Sequence, residues 1–262
     1  MARIPSVTFV VMAGGKGERL WPLVRARTPK VCLSPDGTRS LLQATIDRLR
    51  PVWRGASWLI VTTQEQADPV RAELPPSMRR ALLVEPQIKN TAACITLAAL
   101  AVGRDPEQVM VVVPADHWVG EPRMFQQAVR TAIRAAMAQD AIAMIGIRPT
   151  HPHPGLGYLC GGAPLAGSWN PRVFRLVRFV EKPSRARAQQ LLRRPHTYWN
   201  SGIFVGTAYR FLVSLAMYLP EHVRRLAPLA LTRALRRGTP ALTATPAFLR
   251  RAASCYRPLK SI

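Results

Sequence analysis

The chain has 262 residues, of which 48% are hydrophobic and 19% charged, so the composition indicates one large α/β domain and excludes a disordered chain. The formal net charge of +23 raises nucleic acid as a partner, but the arginines are spread over every segment and form no basic tail or stripe. We therefore predict that nucleic acid is not the main partner and that the charge favours small anionic ligands.

Short apolar runs alternate with helical patterns along the first 147 residues. The runs are typical of parallel strands buried on both faces, and they lie at 7–13, 57–63, 81–85, 109–115 and 141–147. Segments with helical spacing lie between them, at 40–53, 64–74, 91–103 and 124–138. This order predicts an α/β fold with a Rossmann-like, doubly wound, mostly parallel mixed sheet and helices on both faces.

The pattern changes after residue 148, where irregular and partly antiparallel strands are followed by arginine-rich helices. We predict one domain over 1–262, made of two halves, 1–147 and 148–262. Because ligands of open α/β sheets bind beyond the carboxyl ends of strands, several loops are expected to converge there. These loops are 14–30, 85–91, 114–118, 155–158, 181–183 and 199–202.

The cysteines and the N-terminus indicate the cellular compartment of the protein. The four cysteines are far apart and form no Cys-x-x-Cys pair, which argues against a disulfide framework and against a zinc site. The apolar run near the N-terminus leads directly into a glycine loop, so it is typical of a first strand and not of a signal peptide. No stretch is long enough to span a membrane. We expect a cytoplasmic protein that does not contact membranes.

The stretch AGGKGERLWPLVRARTPK, at 13–30, has the composition of a phosphate-binding loop. Gly14, Gly15 and Gly17 have no Cβ, so successive backbone N–H groups can approach phosphate oxygens. The stretch is not a Walker A loop, since no Gly-Lys-Ser/Thr follows, and it lacks the third glycine of a dinucleotide fingerprint. Lys30 adds a compact point charge on a flexible stem. A flexible turn with basic side chains is the alternative interpretation.

With five further motifs, this stretch resembles the nucleotide-sugar pyrophosphorylases, nucleotidyltransferases that join a nucleoside triphosphate to a sugar 1-phosphate. The motifs are VEPQIKNTAACI (84–95), VVPADHWV (112–119), HPGLGYL (153–159), FVEKP (179–183) and WNSGIF (199–204). Within this family the motifs resemble the mannose-1-phosphate guanylyltransferases more than the thymidylyl- and uridylyltransferases. The resemblance implies a fold of the nucleotide-diphospho-sugar transferase type. It also implies that GTP and mannose 1-phosphate are converted to GDP-mannose and pyrophosphate.

The resemblance assigns roles on the nucleotide side, in the half 1–147. Arg19 and Lys30 would hold the triphosphate and the charge that develops on it, and Asp116 would ligate Mg²⁺, which prefers carboxylate and phosphate oxygens. Nucleotide contacts are implied for Ala13, Gly14, Gly15, Gly17, Glu85, Asn90 and Thr91. Two alternatives stay open from the residues alone, since Asp116 could cap the following helix and Asn90 could be the N-cap of helix 91–103.

The resemblance assigns sugar-phosphate binding to the half 148–262. Glu181 and Asn200 would bind sugar hydroxyls, Lys182 would neutralise the sugar's phosphate, and Gly157 would let backbone approach the ring. A solvated strand end at Glu-Lys-Pro and an ordinary turn at Gly157 are the alternatives. No catalytic role is expected for His117.

One family feature has no counterpart in these residues. The family has a second metal-holding aspartate in a Trp-Ser-Asp-Xaa-Gly motif, and no such motif follows Trp199 here. The resemblance therefore implies a sugar-binding half with an incomplete C-terminal end and slow turnover that needs high Mg²⁺ or a partner chain. Another sugar-1-phosphate nucleotidyltransferase and a catalytically weak, nucleotide-sugar-binding or regulatory homologue stay open as alternatives, and a homo-oligomer is compatible with the sequence.

Overall fold

The computed structural model describes residues 5–15, 17, 23–24, 28–103, 107–230 and 246–259. The described residues form one mixed sheet of eight strands with helices on both faces, as predicted. The strands are β1 Val7–Met12, β2 Ser57–Thr63, β3 Leu82–Glu85, β4 Val109–Pro114, β5 Ala143–Ile147, β6 Tyr158–Pro164, β7 Phe174–Val180 and β8 Thr197–Thr207. The order across the sheet is β3-β2-β1-β4-β8-β6-β7, and β5 also pairs with β8.

The first four strands are parallel and buried on both faces, which explains their continuous apolar sequences. Successive residues point to opposite faces, so Phe9 and Val11 join one core cluster and Val10 joins the other. Their carboxyl ends lie at one edge of the sheet, where Ala13, Glu85 and Ala115 are found at or just beyond the ends of β1, β3 and β4. This edge carries the candidate site.

Strand β8 connects the two halves of the sheet, because β4 and β6 pair with different stretches of the same strand. Its Phe204–Thr207 stretch is antiparallel to β4, and its Thr197–Trp199 stretch is antiparallel to β6. On the opposite edge of β8 lies β5. The prediction of a buried parallel strand at 141–147 is therefore wrong, since β5 pairs antiparallel with β8 and is only partly buried.

Helices cover both faces of the sheet, and the four in the first half of the chain match the predicted segments to within a few residues. Helices α1, α2 and α4 pack on one face, and α3, α6, α7 and α8 pack on the other. The bounds are α1 Leu41–Leu49, α2 Ala67–Glu73, α3 Asn90–Val102, α4 Pro122–Ala138, α5 Arg185–Leu192, α6 Ala208–Tyr218, α7 Pro220–Ala230 and α8 Pro246–Tyr256. Short 3₁₀ helices occupy Lys30–Cys32, Gln64–Gln66 and Pro76–Ala81.

Within the described residues, we find no helix with the length and apolar character needed to cross a lipid bilayer. The four cysteines are free thiols.

Candidate functional site

The start of the glycine loop is held against the end of β2 by three hydrogen bonds. Ala13 N donates to Val61 O at 2.7 Å, and Thr62 Oγ1 donates to Ala13 O at 3.1 Å. The buried Gln66 side chain donates through Nε2 to Gly15 O at 2.7 Å. The backbone at Gly15 has φ +139°, a conformation that L side chains rarely adopt, so glycine is required there. The loop is therefore anchored to the sheet at the edge where a phosphate would bind.

Gly17 brings this loop against Lys30. Its φ is +62°, and a Cβ built on it would lie 2.9 Å from Val24 Cγ1 and 3.2 Å from Lys30 Cβ. A larger residue at position 17 would thus displace the base of the lysine side chain. Residues 16, 18–22 and 25–27 lie outside the described part of the chain, and with them Arg19, whose catalytic role stays a prediction.

Lys30 and Asp116 form an ion pair at the carboxyl ends of β1 and β4. Lys30 Nζ lies 2.8 Å from Asp116 Oδ2, and each side chain is 34% exposed, so both charges are open to a ligand. The two residues are far apart in the sequence; Lys30 was predicted to hold the triphosphate and Asp116 to ligate Mg²⁺. The helix-capping alternative for Asp116 is wrong, because α4 begins at Pro122 and its N-cap residue is Glu121.

A buried arginine supports the loop that presents Asp116. Arg48 of α1 is only 8% exposed, and its Nη2 donates to Thr45 Oγ1 at 2.9 Å and to His117 O at 3.4 Å. Thr45 Oγ1 in turn donates to Ala115 O at 3.4 Å. Helix α1 therefore contacts the backbone on both sides of Asp116.

His117 is the second titratable group of this loop. Burial lowers the pKa of His117, the positive charges of Arg48 and Lys30 lower it further, and the carboxylate of Asp116 opposes them. The ring is therefore neutral at pH 7, and its Nε2 atom lies 3.9 Å from Asp116 Oδ1. A neutral ring at that distance contributes no ion pair to the carboxylate, and the expectation that His117 has no catalytic role stays a prediction.

The segment predicted to contact the nucleoside follows β3. Glu85 is the last residue of β3, is 6% exposed, and accepts a hydrogen bond from Tyr256 Oη at 3.0 Å through Oε1. Burial raises the pKa of the Glu85 carboxyl to about 8, and the hydrogen bond from Tyr256 partly opposes that rise. Asn90 and Thr91 are exposed at the start of α3. Asn90 is not the N-cap, since that position is occupied by Lys89.

The residues predicted to bind the sugar phosphate lie together around Gly157. Asn200 N donates to Gly157 O at 2.8 Å, and a Cβ on Gly157 would lie 2.8 Å from Glu181 Oε2 and 3.0 Å from Phe179 Cζ. Lys182 Nζ lies 3.2 Å from Glu181 Oε1, and the Lys182 backbone has φ +40°. Glu181 and Lys182 are both exposed, so a carboxylate, an ammonium and an amide are available at one glycine.

The edge of β8 that pairs with β4 and β6 has a gap in its pairing. Strand β4 pairs with β8 only from Phe204 onward, and β6 only up to Trp199, so 200–203 lie between them. Asn200 Oδ1 accepts a hydrogen bond from Gly202 N at 3.0 Å within this stretch. A Cβ on Gly202 would lie 3.4 Å from Pro114 Cγ, two residues before Asp116. The stretch 200–203 of β8 therefore contacts the end of β4, which leads into Asp116.

The Asp116 carboxylate is the candidate metal ligand. Oδ2 contacts Lys30, and Oδ1 lies 3.9 Å from Nε2 of the neutral His117 ring. In the part of the chain that the structure describes, no group of three or more His, Cys, Asp or Glu side chains could hold a metal ion. Mg²⁺ binds proteins through one or two carboxylates and takes its other ligands from water and substrate phosphates. A single half-exposed aspartate beside the glycine loop fits that chemistry.

Sequence reasoning missed the residues that support the site from behind. Gln66, Arg48 and Tyr256 hold the glycine loop, the Asp116 loop and Glu85, respectively. An arginine on the apolar face of α1, between Thr45 and Leu49, was a usable signal, because arginine is rarely buried without a partner. Nothing in the sequence pattern connects Tyr256 with Glu85.

Comparisons with known proteins show the family of the chain. The model of the family described as nucleotidyl transferase matches residues 8–227. The mannose-1-phosphate guanylyltransferase of Escherichia coli K12 is 37% identical over 217 residues, which are 81% of this chain and 45% of that protein. The xanthan biosynthesis protein XanB of Xanthomonas campestris (strain B100) is 38% identical over 218 residues, or 80% of this chain and 44% of that protein. The chain thus spans about half the length of these curated relatives.

A solved structure is similar over almost the whole chain. The crystal structure described as mannose-1-phosphate geranyltransferase from Thermus thermophilus matches with a TM-score of 0.81 and 31% identity. The match covers 98% of this chain and 69% of that one. The similarity therefore includes both halves of the mixed sheet.

Proposed function

Because the chain belongs to the nucleotidyl transferase family, we propose that it transfers a guanylyl group from GTP to mannose 1-phosphate. The products would be GDP-mannose and pyrophosphate. The substrates are taken from the names of the relatives at 37% identity and from the motifs that resemble the guanylyltransferases. The observation that carries the proposal is the half-exposed Lys30–Asp116 pair beside a glycine loop. The Gly157–Asn200 group supports it, because the adjoining stretch of β8 contacts Pro114 at the end of β4.

The reaction is an in-line displacement at the α-phosphorus. A phosphate oxygen of mannose 1-phosphate attacks, the new P–O bond forms, and the bond to the bridging oxygen breaks, so pyrophosphate leaves with the electron pair. The nucleophile is anionic at neutral pH, so no general base is needed. The protein has to hold two polyanions close together and to stabilise charge at the α-phosphate.

On the nucleotide side, backbone N–H groups of Ala13, Gly14, Gly15 and Gly17 would contact phosphate oxygens, with Lys30 and Arg19 supplying positive charge. Asp116 would hold a Mg²⁺ ion that arrives with the triphosphate, and this ion would neutralise phosphate charge. Gln66 and Arg48 would act by holding the glycine loop and the Asp116 loop in place.

On the sugar side, Glu181 would accept hydrogen bonds from sugar hydroxyls, and the Asn200 amide could donate or accept them. Lys182 would pair with the sugar's phosphate. A Cβ on Gly157 would lie 2.8 Å from Glu181 Oε2, so a larger residue there would displace the Glu181 carboxylate. Glu85, Asn90 and Thr91 would contact the nucleoside from the end of β3 and the start of α3.

The proposal is tested by measuring pyrophosphate release with GTP, ATP and UTP against mannose 1-phosphate and other hexose 1-phosphates. We expect GTP and mannose 1-phosphate to be preferred, and Asp116→Asn to abolish the Mg²⁺-dependent rate while the protein stays folded. Equal use of all three nucleotides would refute guanylyl specificity. Absence of pyrophosphate release with every pair would refute the transferase assignment for this chain.

A further inference from the structure

The segment 246–259 packs beside the loop predicted to contact the nucleoside. Its helix α8 packs against α7 and β3. Four side chains of the segment are buried in the same core cluster as Ala93 and Cys94 of α3. These four are Phe248, Ala252, Tyr256 and Leu259. The segment is therefore a built part of the core at this end of the sheet and not a tail lying on the surface.

A buried hydrogen bond joins this segment to the end of β3. Tyr256 is completely buried, and its hydroxyl donates to Glu85 Oε1 at 3.0 Å. A carboxyl group that is 6% exposed is costly to leave without a partner, so this bond determines where the Glu85 side chain can lie. The last residue of β3, from which the loop starts, is thus held by a residue 171 positions away in the sequence.

A second contact joins the segment to the other end of the same loop. Lys89, the residue before α3, donates through Nζ to Leu259 O at 2.6 Å and more weakly to Arg257 O at 3.5 Å. Carbonyl groups just beyond a helix end lack intrahelical partners and carry partial negative charge, so an ammonium group is a favourable partner for them. Residues 86–88 are therefore bounded on both sides by contacts with 246–259.

We propose that the segment 246–259 holds the β3–α3 loop in the position in which it binds the nucleoside, with Tyr256 and Lys89 as positioning residues. The inference rests on the proposed function for its effect on catalysis. Without the Tyr256 hydroxyl, the buried Glu85 carboxyl lacks a hydrogen-bond partner, so movement toward water lowers the free energy of the protein. The loop would move with the carboxyl. The glycine loop, Lys30 and the sugar-side residues have separate supports, so the effect is confined to the nucleoside end of the site.

The test uses Tyr256→Phe, which removes one hydroxyl and keeps the buried ring. Tyr218→Phe is the matched control, because Tyr218 is 77% exposed at the end of α6. We expect Tyr256→Phe to raise the KM for GTP roughly ten-fold, because hydrogen bonds to buried or charged groups are among the stronger ones. The KM for mannose 1-phosphate should stay unchanged. Tyr218→Phe should change neither constant.

Hydrogen–deuterium exchange of the full chain measures the positioning without any substrate. We expect faster exchange in peptides covering 85–91 in Tyr256→Phe and in Lys89→Met, with β1 and β2 unchanged. Unchanged exchange at 85–91 in both variants, or an increase spread over the whole sheet, would overturn the proposal. If Tyr256→Phe does not fold, Lys89→Met gives the same measurement. A wild-type chain with no pyrophosphate release would refute the proposed function, while the exchange result would still decide on the positioning role.

Discussion

Replacing Lys30 by methionine removes the ammonium group and keeps most of the apolar stem. Lys30 Nζ lies 2.8 Å from Asp116 Oδ2, which corresponds to a gross attraction of roughly 6 kcal/mol at an effective dielectric constant of about 20. Each side chain is 34% exposed, however, so solvent screening reduces the net contribution to folding to about 1 kcal/mol. We therefore expect Lys30→Met to lower the melting temperature by only ~2–4 °C.

The effect of the same change on turnover should be much larger. A charge that contacts the phosphate in the transition state contributes about 3–4 kcal/mol, or a factor of ~10²–10³ in kcat. Pyrophosphate release with GTP and mannose 1-phosphate measures that factor, and a thermal melt measures stability in the same preparation. Lys30→Arg keeps the charge but presents a planar fork, so we expect an intermediate rate.

An exposed ion pair provides the control for charge removal as such. Arg71 Nη1 lies 3.5 Å from Asp68 Oδ1 on the surface of α2, and Arg71→Met should leave both kcat and the melting temperature nearly unchanged. A kcat for Lys30→Met within about five-fold of wild type would contradict the transition-state role. A melting temperature that falls by more than about 10 °C would instead mean that the pair is mainly structural.

Two further predictions concern the other ends of the site. Gly157→Ala places a Cβ 2.8 Å from Glu181 Oε2, so we expect a roughly ten-fold rise in the KM for mannose 1-phosphate with little change for GTP. Gly120→Ala, whose Cβ meets no atom within 4 Å, is the control, and equal effects of the two changes would contradict the sugar-side assignment. Glu85 has a pKa of about 8 in the fold against 4.5 for a free carboxyl, so the folded state binds the extra proton between these values. Stability should therefore fall by on the order of a few kcal/mol as pH rises from 4.5 to 8, and denaturant unfolding of Glu85→Gln should lack this slope. Parallel pH curves for wild type and Glu85→Gln would refute this effect.

The parallel half of the sheet could be predicted because the apolar sequence of each strand indicates that both of its faces are buried. Strands β1 and β4 are apolar at almost every position, which occurs when both faces of a strand are covered. The segment 141–147 is equally apolar, but its partner is β8, some fifty residues later in the chain. Hydrophobic periodicity reports burial and not pairing direction, so the direction of β5 could not be predicted from it.

Only those residues of the candidate site that belong to short sequence motifs could be predicted. Lys30 ends the glycine-rich motif and Asp116 follows β4 in another motif, and the structure brings them into contact. Arg48 and Tyr256 act on other residues across the fold, and such long-range contacts leave no short pattern in the sequence. Burial also changes chemistry that the sequence cannot report, since Glu85 has an ordinary carboxyl group until the fold encloses it.

The weakness of the Lys30–Asp116 pair is consistent with a binding role. The two charges neutralise each other in the folded chain. Because the net contribution of a half-exposed pair is about 1 kcal/mol, little free energy is lost when the partners separate. A triphosphate with its cation offers the ammonium a more highly charged partner and offers the carboxylate a divalent one. The same geometry that makes the pair a minor element of stability therefore makes Lys30 and Asp116 available for exchange when substrate binds.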